Sequence, residues 1–243
     1  MLAPRPPRAP YRGKRLFDLA VVALVAVPVL IVCALVAVAV RCSSPGPVLF
    51  RQERVGRDGR RFRILKFRTM VDGDNPLVDF DDRITPVGRL LRRSSLDELP
   101  QLWNVVRGEM SIVGPRPTLA YQAERWDRRQ RGRLAVRPGL TGLAQVRGRN
   151  ALTWAERIEW DLRYVETQSI RRDLAILART LMVVATGHGV EATSVPDPLA
   201  APEPAPRHPV AALAGPPAAA PVRPEPVPVR SEPVPVRPEP VLV

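Results

Sequence analysis

An unbroken apolar run from Leu19 to Val40 constrains this chain more than any other feature. Wound as a helix at about 1.5 Å per residue, it reaches about 33 Å, enough to cross a bilayer's hydrocarbon core. A cleaved leader fits poorly, because the run is too long and lacks a clear small-residue cleavage site. Basic residues flank both ends: Arg12, Lys14 and Arg15 before it, Arg41, Arg51 and Arg54 after it. A spanning helix normally leaves its positive flank on one side only. Pro28, near the middle, removes an amide donor and can break the helix. Together these features favour a re-entrant hairpin that enters and leaves on the cytoplasmic face. A plain span is the alternative.

Beyond the run the chain turns basic, with RQERVGRDGRRFRILKFRTM over residues 51–70. The whole chain holds 37 Lys and Arg against 24 Asp and Glu, a net charge of +13. Such a charge implies a polyanionic partner: nucleic acid, anionic headgroups or a phosphorylated substrate. Nucleic acid is the weaker choice, because a soluble DNA-binding domain has no use for the apolar run. Aromatic residues are only 5% of the chain, without a base-stacking motif or zinc spacing. Cys33 and Cys42 sit in and just after the run, so a disulfide framework is not expected. With only His188 and His208, a histidine metal site or triad is not expected either. Any metal here should be a hard cation held by carboxylates and phosphates.

The pattern divides the chain into four parts: a disordered basic N-terminus (1–13), a membrane-inserted helix hairpin (14–47), a globular domain (48–195), which the resemblance given below implies is cytoplasmic and catalytic, and a disordered tail (196–243). The tail repeats PVRPEPV, PVRSEPV and PVRPEPV, a composition that favours polyproline II and builds no core. Within the domain, SSPGPVLF reads as a turn leading into a short strand. RFRILKFRTM alternates like a strand, imperfectly in phase, with Phe62, Ile64 and Phe67 apolar. ITPVGRLLRRSS predicts a short amphipathic helix. Ser95 to Glu98 fits a capping box, although Pro100 then falls early in the helix; the alternative is a tight turn with the helix starting at Pro100. NALTWAERIEWDLRYVE and RRDLAILARTLMVVATG both carry helical periodicity, the second as an interfacial or a core-packing helix. The predicted class is α/β, mostly helical with short strands, in one membrane-associated domain.

The chemistry centres on the carboxylate pair Asp97 and Glu98 in SSLDELPQLWN. A carboxylate can attack phosphorus to give an acyl phosphate, and backbone dipoles at a helix start favour negative charge. The bland alternative is that the pair only caps a helix. Arg and Lys supply the donors phosphate oxygens need. The candidates are Lys66 and Arg68 in KFRTM, Arg83 in DDRIT, and Arg116 in GPRP, where two prolines fix the backbone around one guanidinium. RPGLTGLAQVRGR adds Gln145 and Arg147 in what reads as a polar, glycine-rich loop.

Four phrases in order, KRLFDL, SPGPVLFRQERVGRDGRRFRILKFRTM, LRRSSLDELPQLWNVVRGEMSIVGPRP and RPGLTGLAQVRGR, resemble the bacterial sugar transferase family, the monotopic polyprenyl-phosphate glycosyl-1-phosphate transferases. The resemblance runs from about residue 14 to residue 186 and is to the short form, without the extra N-terminal membrane domain of larger members. It implies transfer of a sugar-1-phosphate from a UDP-sugar to polyprenyl (undecaprenyl) phosphate, with release of UMP. It also implies a phosphosugar intermediate on aspartate, matched here by Asp97 with Glu98 beside it, and Mg²⁺ (or Mn²⁺) at Asp97. Lys66, Arg68, Arg83, Arg116, Gln145 and Arg147 would then bind substrate, at the cytoplasmic face of a bacterial inner membrane. Such enzymes initiate exopolysaccharide, capsule, O-antigen or glycan assembly. GRNALTW resembles short-form members acting on N-acetylated sugars, but the sequence does not name the sugar. One departure stands out: the family's Ser-Pro pair in the membrane segment is Val27-Pro28 here, without the hydroxyl that could satisfy a freed carbonyl. The rival class is a non-enzymatic basic protein of the membrane surface.

Overall fold

A computed structural model describes residues 9–71, 83–148 and 151–186. The tail from residue 187 onward, with both histidines, lies outside the described residues, as do residues 1–8. SPGPVLF leads, as the turn residues suggest, into β1 (Leu49–Val55), which pairs antiparallel with β2 (Arg61–Phe67). Between them Asp58 and Gly59 take left-handed backbone, which reverses the chain within five residues, 56–60.

The imperfect alternation of β2 has a physical cause. Phe62 and Ile64 face the main core, where they meet Val105, Met110, Ile112, Val113, Leu143, Tyr164 and Ile176. Phe67 points to the other face and joins a second cluster with Val36, Val40 and Leu91. The strand thus separates two apolar clusters, so both faces need apolar residues near its end. Lys66 falls between Leu65 and Phe67, on the parity of Phe62 and Ile64.

α2 (Pro86–Ser94) starts as an amphipathic helix should: the Thr85 hydroxyl accepts from the Gly88 amide at 2.9 Å, and Pro86 takes the first position. It ends at Ser95, whose left-handed φ of 58° closes the helix. The capping-box reading of Ser95 to Glu98 is therefore corrected. An N-cap needs extended backbone, and Ser95 is spent as the C-cap of the preceding helix. Leu96–Glu98 form one 3₁₀ turn, and α3 (Gln101–Arg107) begins just after Pro100, as in the alternative reading.

β3 (Ser111–Val113) pairs in parallel with β4 (Gly139–Thr141). RPGLTGLAQVRGR is therefore not a loop but β4 followed by α5 (Leu143–Arg147). Its glycine serves backbone packing: a Cβ on Gly139 would stand 2.1 Å from the Gly114 amide nitrogen. α4 (Ala120–Glu124) lies between the strands in sequence, and α6 (Trp154–Thr167) and α7 (Ile170–Thr186) close the described unit. α6 starts with a capping box, Thr153 with Glu156.

The apolar run becomes α1 (Lys14–Ser43), one helix with Pro28 inside it. Two helices parted at Pro28 are thus not found; an interior proline removes a hydrogen bond and can bend a helix without ending it. Both ends of α1 nevertheless return to the same domain. At the start, Lys14 reaches Asp173 of α7 at 2.6 Å, and the Asp18 carboxylate accepts from the Ser111 hydroxyl and the Ile112 amide of β3. At the end, Val36 and Val40 pack on Phe67 and Leu91. The middle is bare apolar surface, with Leu24, Val27, Leu30 and Leu35 all exposed.

Candidate active site

The carboxylate pair occupies the 3₁₀ turn between α2 and α3, opposite the end of β2. The reversal at Ser95 makes this possible, because it turns the chain sharply enough to bring two successive carboxylates against Lys66. The two then meet different surroundings. Glu98 accepts from the Lys66 ammonium at 2.8 Å and from the Arg116 guanidinium at 3.0 Å. Asp97 stands 3.8 Å from Lys66, an ion pair without a hydrogen bond.

Their titration follows. Burial alone would push Glu98 up, but Lys66 and Arg116 outweigh it and hold this carboxyl far below the ordinary carboxylate range. Asp97 moves the other way: burial raises it, Glu98 adds to the rise, and Lys66, Arg116 and Arg92 only partly oppose it. One carboxylate is locked as the counter-ion of two cations. The other has only the longer ion pair to Lys66 and carries its charge at a cost, which suits a nucleophile.

The charges of Lys66, Arg116, Asp97 and Glu98 sum to zero, with Arg92 the further cation whose field reaches Asp97. An arriving diphosphate is thus not neutralised by these four groups alone. Among the described residues there is no cluster of three or more metal-binding side chains. A hard cation here would be held by one carboxylate, Asp97, and by the substrate's own phosphate oxygens.

Of the other sequence candidates, Arg68, Gln145 and Arg147 have partners elsewhere. Arg68 is buried and donates to the carbonyls of Ser44 and Pro45 at 2.8 and 2.7 Å, so it ties down the turn after α1. Arg83 enters through its backbone, its carbonyl accepting from the Val71 amide at 3.0 Å. Gln145 donates to the Leu140 carbonyl at 3.1 Å, and Arg147 lies over the Trp160 ring at 4.8 Å. Lys66 and Arg116 converge on the pair. Sequence reasoning passed over Arg92, which reaches Asp97 by its field, and Arg133, which donates to the Arg116 carbonyl at 2.9 Å. Arg92 lies in the phrase LRRSSLDELPQLWN, five residues before Asp97, where nothing in the sequence separates it from Arg93, and Arg133 lies in none of the four phrases.

Comparison with known proteins extends the picture. Residues 10–187 match the family described as bacterial sugar transferase. A sugar transferase of Bacillus subtilis, EpsL, is 42% identical over 185 residues, covering 74% of this chain and 91% of that protein. The exopolysaccharide production protein ExoY of Sinorhizobium fredii is 41% identical over 199 residues, 73% of this chain and 87% of its own length. The UDP-glucose:undecaprenyl-phosphate glucose-1-phosphate transferase of Caulobacter vibrioides is 46% identical over 181 residues, 69% of this chain and 68% of its own.

Proposed function

This chain belongs to the bacterial sugar transferase family, and from that premise we propose that it moves a sugar-1-phosphate from a UDP-sugar to undecaprenyl or a similar polyprenyl phosphate, releasing UMP, by way of Asp97. The supporting observation is the asymmetry of the pair: Glu98 is hydrogen-bonded by two cations, while Asp97 is buried, its carboxyl raised, and held only by the longer ion pair to Lys66. In the first step a carboxylate oxygen of Asp97 attacks the phosphorus that bears the sugar. The bond to the bridging oxygen breaks, and its electron pair leaves with UMP. In the second step an oxygen of the polyprenyl phosphate attacks the same phosphorus. The Asp97–phosphorus bond breaks, which restores the carboxylate and yields the lipid diphosphate sugar. Splitting the transfer keeps the two bulky anions from having to meet directly.

Glu98, held ionised by Lys66 and Arg116, is a poor proton acceptor. Its work is to fix those two cations beside the reacting phosphorus. Mg²⁺ or Mn²⁺, held by Asp97 and the diphosphate oxygens, would neutralise charge that the four side chains leave uncompensated. α1 places this chemistry at a membrane, where the acceptor's prenyl chain resides. The basic flanks support the cytoplasmic face of a bacterial inner membrane as its location.

The deciding experiment is UMP release against a panel of UDP-sugars, with intact-mass measurement of the protein. Asp97→Asn should abolish both turnover and any covalent phosphosugar adduct, because the amide lacks an ionised oxygen. Retained turnover above a few per cent of wild type in folded protein overturns the assignment. Turnover of no UDP-sugar by the wild type would favour the non-enzymatic reading.

A further inference from the structure

Arg116 reaches Glu98 from a segment whose four consecutive carbonyls are all held. The Pro115 carbonyl accepts from the Gly139 amide at 2.8 Å, and the Thr118 carbonyl from the Val55 amide at 2.9 Å. The Pro117 carbonyl accepts from Arg54 at 3.4 Å, and that of Arg116 itself from Arg133 at 2.9 Å. The bonds come from β4, from β1 twice, and from the short helical stretch Gln130–Ala135. Of the two side-chain donors, Arg133 makes the closer bond and is itself buried, at 4% exposure.

Burying a guanidinium needs a reason and a partner. Its partner is Asp161 of α6, 2% exposed, which accepts from the same Nη2 nitrogen that donates to Arg116. One proton of that nitrogen serves each acceptor, so carboxylate, guanidinium and carbonyl form a single line. The Trp126 ring lies 4.7 Å below the guanidinium and fixes its plane. This line ends on the backbone of the residue whose side chain holds Glu98.

We propose that Arg133, oriented by Asp161, is a positioning residue for the transfer reaction, and that it aims Arg116 at Glu98. The two Arg116 contacts are separate in kind: its carbonyl is held by Arg133, its guanidinium holds Glu98. Disturbing the first shifts the origin of a long side chain and so loosens the second. The inference rests on the proposed reaction for its kinetic arm only.

The test is a double-mutant cycle on UMP release. Arg133→Lys keeps a positive charge facing Asp161 but loses the planar fork. It should lower kcat/KM about tenfold or more, with the thermal midpoint close to wild type. In an Arg116→Ala background the same change should cost less than about twofold, since there is then no guanidinium to aim. Equal losses in both backgrounds overturn the proposal and leave Arg133 a part of the general fold. Asp161→Glu, which keeps the counter-charge but changes its reach, repeats the cycle should the lysine variant not fold, with the same two outcomes. The arginine side-chain NMR signals of Arg116, assigned by their loss in Arg116→Lys, give an arm independent of turnover. They should shift and broaden in both the Arg133 and the Asp161 variants, and unchanged signals overturn the positioning. A wild type that turns over no UDP-sugar overturns the reaction instead, and the NMR arm then decides the positioning by itself.

Discussion

Two adjacent carboxylates in one 3₁₀ turn titrate in opposite directions because Lys66 and Arg116 both reach one of them. Glu98 therefore stays ionised through the acid range, whereas Asp97 is protonated first, at an apparent pKa above the ordinary carboxylate value. Only the ionised carboxylate attacks phosphorus, so turnover should fall as pH drops through that apparent pKa. Lys66 is the largest influence lowering it. Lys66→Met removes a charge that favours the ionised form, so the acid limb of the residual rate should move to higher pH. A limb that stays in place or moves to lower pH contradicts the arrangement. Divalent metal is the second prediction at this scale. The charges of the four groups cancel, so EDTA should abolish UMP release and Mg²⁺ or Mn²⁺ restore it; full activity in the chelator would count against a metal at Asp97. The phrase around the pair made Asp97, Glu98, Lys66 and Arg116 legible in the sequence. It did not separate their roles, because those depend on which oxygen a cation 32 or 18 residues away happens to reach. Arg68 shows the opposite failure: two positions from Lys66 it shares that residue's strand parity and points to substrate by composition, yet it lies just past the end of β2 and its guanidinium closes the turn after α1.

At the scale of elements, periodicity is plain where a single face is buried and blurred where both faces are. α6 and α7 each present one apolar side to the core, and their helical spacing was plain. β2 lies between two clusters, so its alternation is blurred. β4 spans only three residues, and its pairing with β3 depends on Gly114 and Gly139 approaching more closely than any Cβ allows, a contact 25 residues away in sequence. The start of α1 shows what element packing adds. Lys14 is buried with Asp18 at 3.2 Å and Asp173 at 2.6 Å, and the Tyr11 and Tyr164 hydroxyls each donate to Asp173 at 2.9 Å. Burial first, and Asp173 next, push both phenols well above their ordinary range, so they remain donors at any working pH. The network joins α1 to α6, α7 and β3 through groups that were too scattered in sequence to be read as one. Asp173→Asn should leave Lys14 short of a counter-charge and destabilise the folded protein by about 3–5 kcal/mol, against about 1–3 kcal/mol for Tyr164→Phe. Thermal denaturation of the solubilised protein checks the order. Equal midpoints for wild type and Asp173→Asn would show that the network does not anchor the helix.

For the molecule as a whole, the question is how one long apolar helix and one catalytic domain share a membrane. α1 is about 45 Å long at 1.5 Å per residue, more than a bilayer core requires. Yet its first turn is fastened to β3 and α7, and its last turns pack on β2 and α2, all in the same domain. A helix crossing the bilayer squarely would put one of those ends on the far side, away from any such contact. Further exposed apolar side chains, Leu90 on α2, Trp103 and Val106 on α3, and Leu174, Leu181 and Met182 on α7, belong to elements of that domain. Arg15 of α1 donates to the carbonyls of Val105 and Val106, which puts the α3 end of this surface beside the start of the membrane helix. We therefore expect α1 to enter and leave on one side, bending within the bilayer where Pro28 lacks its amide hydrogen bond. Arg12 and Arg51, both exposed, report on the two flanks. Single cysteines at these positions, in a background without Cys33 and Cys42, should both resist a membrane-impermeant thiol reagent added to intact cells. Both should label once the cells are broken. Pro28→Leu restores the missing amide and relieves a ring clash worth about 3 kcal/mol, which favours a straight helix. The basic N-terminus opposes translocation, so that variant should show a mixed population, with part of the Arg12→Cys protein labelled from outside. Outside labelling of Arg12→Cys with Pro28 intact would refute the one-sided arrangement and leave α1 a plain spanning helix.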